Sequence, residues 1–114
     1  MIIETSTGVT LSATFISNYF KNLINQFFKI LPLWESSEPT LPKYIRSLQI
    51  ELLGYKELIL SVKNDSQMLS LVAVLQYLLD NPATDITTVK SEVFKAISIC
   101  SKLQTRYSNV ERGD

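Results

Sequence analysis

Apolar residues recur along this chain at the spacing of amphipathic α-helices, and the most regular pattern lies between Leu41 and Lys63. The residues of this pattern follow alternating steps of four and three: Leu41, Ile45, Leu48, Leu52, Tyr55, Ile59 and Val62. Such steps keep them on one side of a helix. A second apolar set lies about a third to half a turn away and consists of Ile50, Leu53 and Leu60. The two sets predict a central helix with neighbours on two sides.

Small residues form a line between the two apolar sets of this helix. They are spaced seven apart, at Ser47, Gly54 and Ser61. Because little side chain stands on this line, the backbone of another element can come near it. We therefore predict close helix packing along these three positions.

A first helix is predicted from its N-cap at Ser12 to about Leu31, ahead of Pro32. Its apolar residues come in adjacent pairs every four positions: Phe15 and Ile16, Tyr19 and Phe20, Leu23 and Ile24, Phe27 and Phe28. A step of four overshoots one turn by about 40°, so the stripe winds around the helix. We expect a partner helix to cross the first helix obliquely.

The segments between the helices carry turn and capping residues. Residues 32–40 include two prolines and are predicted to be the longest loop, and Pro42 suits the first turn of the central helix. A short connection at 64–66 sends the next helix back antiparallel, with Asp65 or Ser66 as its N-cap.

The third predicted helix, from about Gln67 to Leu79, is apolar almost all round and has no charge before Asp80. A helix of this kind needs cover on every side, and it is too short to cross a bilayer. Asn81 and Pro82 end it.

The last predicted helix begins near Asp85 or Thr87 and runs to about Ser108. Its apolar positions again follow steps of three and four: Ile86, Val89, Val93, Ala96, Cys100, Leu103, Tyr107 and Val110. Residues 109–114 are predicted to be a frayed tail and residues 1–10 a flexible arm.

Together these patterns predict a single all-α domain over residues 1–114, close to a four-helix bundle, with the first helix crossing obliquely. The second and third helices are expected to form the buried pair. A chain of 114 residues with 46% apolar and 19% charged residues is suited to one globular domain and not to intrinsic disorder.

Composition removes most catalytic chemistry from consideration. The chain has no histidine and one cysteine, Cys100, which lies on the apolar seam of the last helix and is expected to be a buried, inert thiol. With no phosphate-binding glycine loop either, we expect no enzyme, no metal and no cofactor. The cysteine usage and the lack of a signal-like start or a membrane-spanning stretch predict a reducing, cytoplasmic location.

Several residues are candidates for binding a partner, and each has a structural alternative. Trp34 either anchors a partner or folds over the bundle end, and the aromatic residues Phe15 and Tyr19 either meet a partner or membrane surface or pack in the core. A basic face on the last helix either meets phosphate or an acidic protein or is simply solvated; it consists of Lys95, Lys102 and Arg106.

The helices carry more apolar surface than four short helices readily bury among themselves. We therefore predict a non-catalytic protein–protein interaction or assembly protein, such as a scaffold, adaptor or inhibitor subunit, that forms a homo-oligomer through its last or first helix. The alternative is a nucleic-acid-binding accessory protein that uses the basic face of the last helix. The eleven basic residues balance eleven acidic ones, which disfavours that alternative.

Overall fold

The computed structural model describes residues 2–4, 10–58 and 65–111. Within these ranges the chain forms a small hairpin followed by helices. The elements are β1 (Ile2–Glu4), β2 (Thr10–Ser12), α1 (Ala13–Phe28), α2 (Ile30–Glu35), α3 (Leu41–Leu58), α4 (Ser66–Asp80) and α5 (Ile86–Glu111). The four long helices, α1, α3, α4 and α5, confirm the predicted all-α, bundle-like fold.

The hairpin lies where the sequence suggests a flexible arm. Strands β1 and β2 pair antiparallel, with Ile3 opposite Leu11. Ser12 then ends β2 and caps α1, because its hydroxyl accepts a hydrogen bond from the Phe15 N–H at 3.0 Å. The part of the predicted arm from residue 5 to residue 9 lies outside the described residues.

The first helix ends at Phe28, earlier than predicted, and a short helix takes up part of the predicted loop 32–40. Lys29 keeps right-handed helical angles and its N–H bonds the Asn25 carbonyl, so the chain turns directly into α2. Pro32 lies in the first turn of α2, where its missing N–H leaves no helical bond unmade. The proline therefore belongs to the start of a helix and not to a stop.

Helices α1 and α5 form the most extensive pair. The second and third long helices, α3 and α4, are not the expected buried pair, because both keep large apolar side chains exposed. A buried seam runs along α1 into the first residue of α2 in steps of three and four: Ala13, Ile16, Phe20, Leu23, Phe27 and Ile30. Ser17 and Tyr19 are buried beside it. The buried residues of α5 follow the same steps: Val89, Val93, Ala96, Cys100, Leu103 and Tyr107. Straight seams of this kind suit two helices that lie side by side.

The two helices run antiparallel and touch at both ends. The hydroxyls of Ser17 and Ser108 are 2.8 Å apart, and the rings of Phe28 and Phe94 meet with centroids 5.9 Å apart. Phe15 and Phe28, the outer members of the paired stripe, stay exposed. In the second pair both Tyr19 and Phe20 are buried, and the contacts at both ends show that α1 lies along α5 over most of its length.

The predicted seam of α3 is buried from Leu41 to Leu52. Its second apolar set is not, since Ile50 is 61% exposed and Leu53 is 40% exposed. Leu60 lies outside the described residues. Within the described residues this second side of α3 is therefore uncovered, and α3 is not a central helix.

Helix α4 is capped by Asp65, as predicted, and packs against α3 and α5. It is not covered on every side, because Leu69 and Tyr77 are exposed. Helix α5 continues to Glu111, three residues beyond the predicted end, so the predicted tail 109–114 begins as helix.

Candidate interaction surfaces

A chain of polar side chains fixes how α3 and α4 lie against each other. Gln49 is only 3% exposed, and its Nε2 donates to Gln76 Oε1 at 3.0 Å and to the Val72 carbonyl at 3.4 Å. Its Oε1 accepts from Arg46 Nη1 at 2.7 Å, while Gln76 Nε2 donates to Asp80 Oδ1 at 2.9 Å. Gln49 is therefore opposite the stretch of α4 between Val72 and Gln76.

Apolar side chains lie beside this polar chain on the outer surface of the two helices. We call this surface the α3–α4 face and define it by Ile50, Leu53, Leu69, Ala73 and Tyr77. Ile50 and Leu53 occupy adjacent turns of α3, and the other three are spaced four apart on α4. All five are exposed, and Leu69 retains 52% of its accessible surface. The sequence pattern assigns Ile50, Leu53, Leu69 and Tyr77 to covered sides and does not single out Ala73, so it does not predict this surface.

Close helix packing along Ser47 and Gly54 does not occur within the described chain. Both residues are exposed, and a Cβ placed on Gly54 would find no atom within 4 Å. Ser61, the third residue of the predicted line, lies outside the described residues. Ser47 and Gly54 instead flank the α3–α4 face and leave the backbone of α3 open to the outside.

Trp34 lies on α2 and folds over the end of the bundle. Its indole Nε1–H donates to the Thr84 carbonyl at 3.0 Å, and its ring is partly buried. The ring forms one wall of a half-open cavity of about 200 Å³. The other walls come from Ser37, Glu38, Leu41, Pro42, Ile45, Leu78, Leu79 and Pro82. Trp34 is thus a fixed wall and does not project as an anchor.

The aromatic candidates of α1 are divided between surface and core. Phe15 is 50% exposed near the start of α1. Tyr19 is buried and stacks on Tyr55 with ring centroids 3.7 Å apart, so it is not available to a partner. Burial, with a smaller contribution from Glu51, raises the pKa of Tyr19 above its ordinary value.

The three basic candidates of α5 do not form one free cluster. Lys95 and Lys102 are exposed. Arg106 is engaged by the start of α4, since its Nη1 lies 2.7 Å from Asp65 Oδ2 and its Nη2 donates to Gln67 Oε1 at 2.7 Å. The guanidinium therefore has a structural role between α4 and α5.

Reactive groups are few in the part of the chain that the structure describes. Cys100 is buried as predicted, and burial raises the pKa of its thiol to about 12. No group of three or more Cys, Asp or Glu side chains is placed to hold a metal among these residues. None of the helices in the same ranges has both the length and the apolar character of a membrane span.

We compared the chain with protein-family models, with curated protein sequences and with solved structures, and none of these comparisons gives a match. A proposal for its function therefore has to start from the surfaces described above.

Proposed function

We propose that this protein is a non-catalytic interaction and assembly protein that associates with its own copies through the α3–α4 face. One observation carries the proposal: large apolar side chains are exposed together on two helices that are packed side by side. Ile50 and Leu69 each keep more than half of their accessible surface. A contiguous apolar surface on a small protein is typical of a contact site for another protein.

The size of the face sets the strength of association to expect. Two helices of about four turns, lying side by side, present roughly 20 by 22 Å, or about 440 Å² per copy. Two such faces together bury about 900 Å², which is in the range of weak, transient protein contacts. We therefore expect a reversible dimer with a dissociation constant in the micromolar range.

The non-catalytic part of the proposal rests on the structural roles of two aspartates and on the absence of histidine from the chain. Asp65 caps α4 and pairs with Arg106. Asp85 accepts hydrogen bonds from the backbone and hydroxyl of Thr88 at the start of α5. Carboxylates held in this way stabilise helix ends and are poor candidates for acid–base catalysis.

The nucleic-acid alternative has less support, because Arg106 is already paired with Asp65. That alternative requires binding to DNA or RNA that weakens steeply with salt. It also requires this binding to be lost when Lys95 and Lys102 are both changed to Glu. Absence of either effect in a gel-shift assay at two salt concentrations would exclude the nucleic-acid alternative.

Size exclusion with light scattering tests the proposal. Wild-type protein at about 100 µM should contain dimer, whereas Ile50→Lys combined with Leu69→Lys should elute as a monomer with unchanged helical circular dichroism. A matched control places the same two charges on the first and last helices, as Phe15→Lys with Phe94→Lys, and should still dimerise. A monomeric wild type, or loss of dimer only in the control, would overturn the proposal.

A further inference from the structure

The α3–α4 face has an internal symmetry that specifies how a second copy would lie on it. Along α3, one outward row begins with Arg46, continues through Ile50 and Leu53, and ends with Glu57. The steps of this row are four, three and four, which keeps its members on one side of the helix. In chain order the row consists of a positive charge, two apolar residues and a negative charge. Reversing the row leaves its spacing unchanged and exchanges the two charges.

The outward row of α4 has the same property. Leu69 and Tyr77 lie at equal distances on either side of Ala73. When this row is reversed, Leu69 coincides with Tyr77 and Ala73 coincides with itself. The small side chain of Ala73 leaves room for the backbone of another helix at the centre of the row.

The packing of α3 against α4 brings the centres of the two rows to the same level. The α3 row is centred between Ile50 and Leu53, and Gln49 lies opposite the stretch of α4 from Val72 to Gln76. The centre of the α3 row follows Gln49 in the chain. Because the helices run antiparallel, this centre lies opposite a point of α4 that is nearer the start of α4. That point and the centre of the α4 row, Ala73, differ by about 2 Å along the helix axes. One axis perpendicular to both helices therefore suits both rows.

We infer that a second copy of this chain docks on the α3–α4 face. The two copies are related by a two-fold axis that lies in the plane of the contact and is perpendicular to the helices. In this arrangement α3 meets α3 and α4 meets α4, both antiparallel. Ile50 of each copy packs on Leu53 of the other, Leu69 packs on Tyr77, and the two Ala73 residues meet at the axis. This arrangement rests on the proposed function and adds the symmetry and the register of the contact.

Charge complementarity supports a second copy as the occupant. The axis places Arg46 of each copy beside Glu57 of the other, which gives two opposite-charge contacts at the rim. Within its own chain Glu57 lies 3.4 Å from Lys56, and the side chain of Glu57 keeps 61% of its accessible surface. Asp80 of each copy falls at the first turn of α4 of the other, where the helix dipole favours negative charge. Ser47 and Gly54 beside the row allow the two α3 backbones to approach.

Cross-linking tests the register. Ala73→Cys should form a disulfide or a short bis-maleimide link between copies, since the axis passes through this position. Thr105→Cys, on an exposed position of α5, is the control and should stay unlinked under the same conditions, as should wild type with its buried Cys100. A dimer by light scattering that fails to link through Ala73→Cys would overturn the two-fold arrangement and leave the proposed assembly function standing.

Charge reversal tests the pairing independently. Arg46→Glu alone and Glu57→Arg alone should each weaken dimerisation about tenfold, because each creates two like-charge contacts in the dimer. The double variant restores both pairs with their signs exchanged and should recover most of the affinity. Since Arg46 also donates to Gln49, urea unfolding at low protein concentration separates any change in monomer stability. Absence of recovery in a double variant that folds normally would contradict the pairing.

Discussion

The Nε2 group of Gln49 donates a hydrogen bond to Gln76 Oε1 across the contact between α3 and α4, over 3.0 Å. Gln49 is 3% exposed and also accepts from Arg46, so both ends of its amide are paired inside the protein. A buried amide with these bonds holds two helices in one register, whereas apolar contacts alone tolerate sliding.

Replacing Gln49 should therefore destabilise the protein most when the substitution removes the volume of its side chain as well as its hydrogen bonds. We expect Gln49→Ala to lower the free energy of unfolding by about 1–3 kcal/mol, and Gln49→Met, which keeps the volume, to lower it by less. Urea unfolding of both variants checks this, with Thr105→Ala on the exposed side of α5 as the control. Equal stability of wild type and Gln49→Ala would show that the amide does not hold the helix pair.

Two tyrosines should respond in opposite directions to the same substitution. The hydroxyl of Tyr19 is buried and has no hydrogen-bond partner among the described residues, while that of Tyr44 donates to the Gln26 carbonyl at 2.8 Å. We expect Tyr19→Phe to raise the free energy of unfolding by about 1 kcal/mol, since it removes an unpaired buried group. Tyr44→Phe should lower it by a similar amount. Destabilisation by Tyr19→Phe would mean that its hydroxyl has a partner in solution.

The pair of Asp65 and Arg106 should make stability depend on pH in the acid range. Burial alone raises the pKa of Asp65, but hydrogen bonds from Arg106 and from the Gln67 backbone outweigh it and place the pKa below its ordinary value. The stabilisation is therefore complete above the ordinary aspartate pKa of about 3.9 and is lost as the pH falls through the lower folded value.

Asp65→Asn tests this directly, because asparagine still caps a helix but carries no charge. At pH 7 we expect the variant to be less stable than wild type by about 1 kcal/mol. Denaturation at a series of pH values should show the two proteins converging as the pH drops below 4. A difference that does not change with pH would contradict the ion pair.

Gly54 should be replaceable with a gain in stability. It lies inside α3, and nothing within 4 Å would meet an added Cβ. Gly54→Ala should raise the free energy of unfolding of the monomer by about 0.5–1 kcal/mol and the melting temperature by a few degrees. A loss of stability in a dilute sample would instead support the prediction, made from the sequence pattern, that another helix packs closely at Gly54.

The helices of this fold follow from local signals in the sequence. Ser12 and Asp65 cap the helices that they precede, and the step of three and four finds the buried sides of α3 and α5. In α1 the same rule fails because each apolar pair offers two choices, and only contact with α5 decides that Ile16 is buried and Phe15 exposed.

The exposed surface was the harder part to predict. Apolar periodicity shows that Ile50, Leu53 and Leu69 are apolar but not whether another helix of the same chain covers them. That depends on which helices become neighbours, and α5 pairs mainly with α1, which leaves the outer sides of α3 and α4 open. The engagement of Arg106 by Asp65, between residues 41 positions apart, has no signal in local spacing either.

Sedimentation velocity of the wild-type protein tests self-association through the α3–α4 face most directly. Between about 1 and 500 µM, the weight-average sedimentation coefficient should rise from the monomer to the dimer value, with a midpoint in the micromolar range. The variant with Ile50→Lys and Leu69→Lys should stay at the monomer value over the same range. A wild-type coefficient that remains at the monomer value throughout would contradict the account.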